Sequence, residues 1–213
     1  MKRPLLIAII IIGVFFVPRY AFSQMEFIEL GQKALVGSLE YTTENHAQGY
    51  GVEGIYTNDG RIGLGLLYGQ GFSGASTVAT SIGVEGIASI LNPSTDFPFG
   101  LEALASYAIT SVSFGTYTAY SGNTAGFGGE TYLRLEADSS FNVEPFFSIM
   151  RSFSKVSSGN GIYANGDATS YSAGADFVIR ATSKFSFVLV PGAIFQESET
   201  DFGLSAYFVY HVN

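Results

Sequence analysis

Past residue 23, the chain is a series of short segments in which apolar and polar residues alternate. The polar partner is a carboxylate again and again: Glu40, Glu53, Glu85, Glu102, Glu130, Glu144 and Asp176. A side-chain period of two is the period of a strand. A strand with Leu, Phe or Tyr on one face and Glu on the other borders lipid on one side and a polar interior on the other. Hydrocarbon offers backbone N–H and C=O groups no partners, so strands cross a bilayer only inside a closed ladder. The alternation therefore predicts an all-β fold, a single transmembrane antiparallel up-and-down β-barrel.

The first residues read as an address. Met1-Lys2-Arg3 is followed by the apolar run Leu5 to Val17, then Pro18, then Ala21-Phe22-Ser23 before Gln24. A basic start, a short apolar core and small residues at −3 and −1 predict a secretory signal peptide over residues 1–23, cleaved after Ser23. A membrane-spanning helix needs about 20 apolar residues, and this run stops short at a proline and an arginine. Residues 24–213 are then the barrel domain, and its address is the cell outer membrane of a Gram-negative-type cell.

Composition agrees with that reading. Apolar residues make up 47% of the chain and aromatics 15%, with 26 glycines. No later apolar run is long, so the apolar surface is spread along every strand, where a lipid-facing wall accommodates it. Without Lys2, Arg3 and Arg19, 7 basic residues face 18 acidic ones, a net charge of about −11. Such a surface repels nucleic acid. Cysteine is absent, and ladder closure makes a disulfide unnecessary.

At about ten residues per strand, the length allows eight to ten. Ten are predicted: 33–42, 50–57, 61–68, 77–90, 99–109, 125–136, 141–154, 170–180, 185–196 and 201–212. An eight-stranded wall with one hairpin folded outside is the alternative. Asn58-Asp59-Gly60 is a tight-hairpin signal. Connections over Asn92–Asp96, Ala137–Ser140 and Ala181–Lys184 read as short turns, whereas 111–123 and 155–168 read as long polar loops. Short turns on the side of the termini and longer loops opposite are the asymmetry of an outer-membrane barrel. Leu35, Leu39, Leu64, Leu66, Ile82, Val84, Phe127, Phe147, Leu189, Leu204 and Phe208 are among the side chains predicted to face lipid. Aromatics collect in two tiers, with Tyr56, Phe99, Phe141, Phe185 and Tyr210 at one edge. Tyr41, Tyr50, Tyr68, Tyr107, Tyr171 and Phe195 lie at the other, as amphipathic rings do at two interfaces. A soluble β-sandwich with an aromatic core fits two such tiers less well.

With these segments laid out, the chain resembles the small outer-membrane β-barrel domain proteins of Gram-negative bacteria, including porin-like ones. The residues that carry the resemblance are Gly37-Ser38-Leu39, the hairpin from Gly54 to Gly65, and Gly203-Leu204-Ser205-Ala206-Tyr207-Phe208. The last segment is similar to the terminal signal by which barrel-assembly machinery recognises its clients, although the chain ends Tyr210-His211-Val212-Asn213 rather than on an aromatic residue. The resemblance implies outer-membrane lipid and lipopolysaccharide as surroundings, the assembly machinery as a partner during insertion, and an external ligand of unknown kind.

Chemical motifs are sparse. Gly49-Tyr50-Gly51-Val52-Glu53-Gly54 matches the dinucleotide fingerprint in letters, but it lies inside a strand that runs into a hairpin, with no helix to meet a pyrophosphate. Gly159-Asn160-Gly161 and Asn165-Gly166-Asp167 hold one carboxylate, too few for a calcium loop. His46 and His211 fall at opposite ends of the wall, and neither lies mid-strand near a serine. No enzymatic activity, no cofactor and no metal are expected. The distinctive feature is the polar face itself: Glu53, Glu85, Glu102, Glu130, Arg134, Glu144, Asp176 and Arg180 form a lumen network of acids and bases. It plugs a narrow barrel if each acid finds a partner, or lines a narrow, cation-preferring passage if water enters. The expected role is thus structural or porin-like. The alternatives are an adhesin-like barrel working through its external loops and, less so, an enzyme at the rim.

Overall fold

The protein is described from a computed structural model, which covers residue 28 and residues 32–44, 47–73, 77–94, 97–114, 117–138, 140–158, 163–196 and 199–212. The signal segment, His46 and Gly159-Asn160-Gly161 lie outside the described residues.

Eleven strands follow in chain order: β1 (Lys33–Glu44), β2 (Ala47–Thr57), β3 (Ile62–Ser73), β4 (Thr77–Leu91), β5 (Phe99–Phe114) and β6 (Tyr117–Leu133), then β7 (Leu135–Asp138), β8 (Phe141–Ser158), β9 (Tyr163–Arg180), β10 (Phe185–Gln196) and β11 (Glu199–Val212). Apart from β6 and β7, consecutive strands pair antiparallel. β1 pairs with β11 from Lys33–Val212 to Thr43–Phe202, which closes the wall. β6 and β7 are one stave broken at Arg134, because both pair with β8 on the same side. The wall therefore has ten staves, as the alternation predicts, and the eight-stranded alternative falls. The break has a local cause. Pro145 of β8 lies opposite it and has no N–H to give the ladder, so the rungs pass from Tyr132–Phe146 to Leu135–Val143. Pro191 does the same in β10, where pairing with β9 skips from Leu189–Phe177 to Gly192–Gly174.

At the termini end, the Asn58-Asp59-Gly60 turn forms as its sequence predicts. Gly60 takes a φ of 68°, which a residue with a Cβ rarely adopts. Its N–H donates to Thr57 Oγ1 at 2.9 Å, and Arg61 N–H donates to Asp59 Oδ1 at 2.9 Å.

The opposite end departs from expectation. Residues 111–123 and 155–168 are not long loops. β5 runs on to Phe114, β6 starts at Tyr117, β8 continues to Ser158 and β9 begins at Tyr163. The Ser, Thr and Tyr in these stretches suit a two-sided strand in water as well as a loop. A strand needs about 9–11 residues to cross a bilayer. β5, β6, β8 and β9 have 16 to 18, whereas β1, β2, β3 and β10 have 11 or 12. One side of the wall stands taller than the other.

Facing follows the alternation on every stave. Leu64, Leu66, Ile82, Phe127, Phe202 and Phe208 are all more than half exposed on the outside, a surface that only lipid covers without cost. Outward aromatics pair across strands, Phe185 with Tyr210 at 5.0 Å near the termini and Tyr41 with Tyr50 at 5.2 Å at the other end. Inward side chains are buried, among them Val36, Ile55, Ile87, Leu104, Tyr132, Phe146, Val178, Val188 and Val209, joined by Ile28 from ahead of β1. Glycines make room for the largest. A Cβ on Gly100 would lie 2.1 Å from the Tyr132 ring, and one on Gly174 would lie 2.7 Å from the Phe146 ring. Each aromatic thus lies flat across a glycine of the neighbouring stave, at Gly100–Tyr132 and Phe146–Gly174 in the register.

Candidate functional site

The staves bring the inward carboxylates into a belt around the lumen. Ser38 is opposite Glu53, Gly65 opposite Glu85, Glu102 opposite Glu130, and Glu144 opposite Asp176. Two of these rungs set like charges face to face, which destabilises a sheet unless something offsets it. At Glu144 the offset is Arg134. Its Nε donates to Oε1 at 2.6 Å, and the two side chains are 13% and 0% exposed. The register is the same on both sides of the stave break, so alternation with Glu130 and Tyr132 faces this guanidinium into the interior, level with Glu144. Arg134 keeps its own N–H satisfied on Pro98 O, at 2.9 Å.

Arg180 lies toward the termini end of β9. There the Asn142 amide, oriented with its oxygen toward Arg180, accepts from the guanidinium at 3.1 Å. Glu136 is exposed on β7 and is not part of the interior.

Elsewhere the belt is organised by two tyrosines and a glycine. Tyr132 stands among Glu102, Glu130, Glu144 and Arg134, and Tyr207 among Glu40, Glu53 and Asp176. Glu53 and Glu85 meet over Gly65, where a Cβ would lie 2.9 Å from Glu85 Cγ and 3.0 Å from Glu53 Oε1. Glu85 is half-buried, while Glu53, Glu102, Glu130, Glu144 and Asp176 are all buried. Every residue of the lumen network named from the sequence thus faces inward. Glu40, Tyr132, Tyr207 and Asn142 belong with them. The same alternation that places Leu39 and Phe208 outside points Glu40 and Tyr207 in, but their partners depend on register.

Chemically, the belt concentrates negative charge in a space that also holds Val, Leu and aromatic side chains. Among the described residues no group of three or more His, Cys, Asp or Glu is placed to hold a metal ion. The register does bring a serine to His211: Ser186 Oγ lies 3.1 Å from Nε2. Ser186 is buried at the termini end of β10, so this contact gives a substrate no approach to the hydroxyl.

The comparisons with known proteins bear on the fold. No family model and no curated protein matches the sequence. Among solved structures, the chain is similar to the translocator domain of the autotransporter NalP from Neisseria meningitidis, at TM-score 0.58 and 12% identity over 99% of this chain and 98% of that one. It is also similar to the beta domain of the Bordetella autotransporter BrkA, at TM-score 0.57 and 14% identity over 85% of this chain and 99% of that one. At such identities the likeness is one of architecture. Together with a closed ten-stave wall and an apolar exterior, it makes the chain an integral outer-membrane β-barrel.

Proposed function

We propose that the protein acts as a closed-lumen, structural barrel whose contacts with its surroundings are made by the outer wall and the two tall hairpins rather than by transport. The observation that carries this reading is the burial of Glu102, Glu130, Glu144 and Asp176 beside Phe146, Val178 and Val190. A hydrated passage would leave its acidic lining open to solvent, whereas narrow barrels are filled by their side chains. The test is a planar-bilayer recording on purified protein. Conductance at background level is expected, and steady cation-selective steps would refute the closed lumen.

One observation favours the second reading, a narrow cation-preferring passage: inward carboxylates outnumber the two inward arginines, Arg134 and Arg180. The surface-binding alternative now rests on the β5–β6 and β8–β9 hairpins instead of flexible loops. Catalysis is not proposed, since among the described residues no inward group is seen to combine a base, an orienting partner and room for substrate. Outer-membrane lipid, lipopolysaccharide and, during insertion, the assembly machinery are the proposed partners, and the net negative charge argues against nucleic acid.

A further inference from the structure

Seven basic residues follow residue 23. Lys33, Arg61, Arg180 and Lys184 lie toward the termini end, and Arg134 points inward. The two that remain, Arg151 and Lys155, lie four residues apart on β8 and face outward toward the opposite end, with Phe153 between them on the same face. Counting about ten residues from Val143 for the lipid-covered span puts Arg151 at the outer boundary. At ~3.4 Å per residue and a tilt near 40°, Lys155 stands ~10 Å above it. That is the level of lipid headgroups.

The wall is indented there. A groove of about 660 Å³ is lined by Tyr107, Asn123, Phe153, Lys155, Asn165 and Asp167. It continues past Ile109 into a second depression of about 370 Å³ that Lys155 also lines. Every one of these side chains is on the outward face of its stave. The groove's one carboxylate, Asp167, is held by Arg151, and the Arg151 guanidinium lies 5.6 Å from the Phe153 ring centroid. Asn123 Nδ2 donates to Tyr107 Oη at 2.9 Å. Among the described residues no carboxylate pairs with Lys155. The groove thus offers one uncommitted ammonium, the Asn165 amide and an apolar floor of Phe153 and Ile109, on a protein that is otherwise strongly negative.

We infer that this groove binds the phosphorylated headgroup of an outer-leaflet glycolipid. Lys155 engages the phosphate as a point charge, Asn165 hydrogen-bonds the sugar, and Phe153 with Ile109 takes the first part of the acyl chains. The inference rests on the outer-membrane reading but not on whether the lumen conducts.

The test titrates the detergent-solubilised full chain with bisphosphorylated lipid A and reads the Kd by native mass spectrometry. Lys155→Gln should bind about tenfold more weakly, the loss of one charge-assisted contact. Lys184→Gln, which removes the same charge at the termini end, should bind as the wild type does. Phosphate-free lipid A should bind the wild type as weakly as bisphosphorylated lipid A binds Lys155→Gln, and inorganic phosphate should not compete. Three results overturn the inference: wild-type affinity in Lys155→Gln, equal weakening in Lys184→Gln, or competition by inorganic phosphate. The shift in gel mobility on heating, recorded for each variant, establishes that the barrel itself is intact, so a failure here is separable from a failure of the membrane assignment.

Discussion

Arg134→Ala is the sharpest test of the interior, because the molecule contains its own control. Among the described residues, two arginine–carboxylate pairs involve β8, one on each face of the wall. Arg134–Glu144 points in, with side chains 13% and 0% exposed, while Arg151–Asp167 points out, with side chains 50% and 55% exposed. Removing Arg134 leaves the Glu144 carboxylate buried with its charge opposed by Asp176 across the rung. Loss of one member of a buried pair costs about 3–5 kcal/mol. The Arg134 backbone bond to Pro98 survives in alanine, so the cost is that of the side chain. An exposed pair contributes below about 1 kcal/mol, and Arg151→Ala should fall in that range. Replacing both interior partners, Arg134→Met with Glu144→Leu, should recover most of the loss, since neither charge of the pair is then left without the other. Urea unfolding in phosphatidylcholine vesicles, followed by far-ultraviolet circular dichroism, measures all three. If Arg134→Ala and Arg151→Ala were equally mild, solvent would be screening the interior pair. The closed lumen would then give way to the narrow passage.

Gly100→Ala should cost about 1–3 kcal/mol as the new methyl displaces the Tyr132 ring. Pairing it with Tyr132→Ala in a double-mutant cycle should show strong coupling, and simple additivity would mean that the ring does not rest on that glycine. Leu66, on the lipid face, and Leu67, packed inside near Gly83, test the facing of β3. Leu67→Ala should cost about 2–5 kcal/mol through the cavity it leaves, and Leu66→Ala distinctly less. Leu66→Arg should cost about 2–4 kcal/mol near the midplane. The reverse order of the two alanine variants would refute the register.

The wall could be read from the chain because its information is local. Alternation alone turns Leu66 out and Leu67 in, and Asn58-Asp59-Gly60 announces its own turn. The acids of the belt are legible for the same reason. What they touch is not, because a rung joins distant positions, as Glu40 is paired with both Gly51 and Ser205. By face alone, Glu130, Glu136, Glu144 and Asp176 are all candidate partners of Arg134. The choice of Glu144 depends on the register with β8, which sets it opposite Arg134, while Glu136 is left exposed on β7. The seating of Tyr132 over Gly100 depends on a register that no pattern within one strand encodes. The tall hairpins look like loops in the sequence for a different reason. Above the membrane both faces of a stave meet water, alternation disappears, and Ser, Thr, Asn and Gly then look the same in strand and loop.

Unequal height leaves the sheet with a border. β9 is joined to β10 only from Ser170–Gln196 downward among the described residues, while on its other side pairing with β8 continues up to Tyr163–Ser157. From Tyr163 to Thr169 the strand therefore has hydrogen-bonding groups with no described strand beside them on the β10 flank, above the hydrocarbon. Such a border recruits any extended segment that drifts against it unless its sequence discourages pairing. Asn165-Gly166-Asp167 supplies that discouragement, with a glycine that has open space where a side chain would be and a charged neighbour. The loop-like residues of the sequence, Asn165-Gly166-Asp167, are in the folded wall the guard on this unfinished edge.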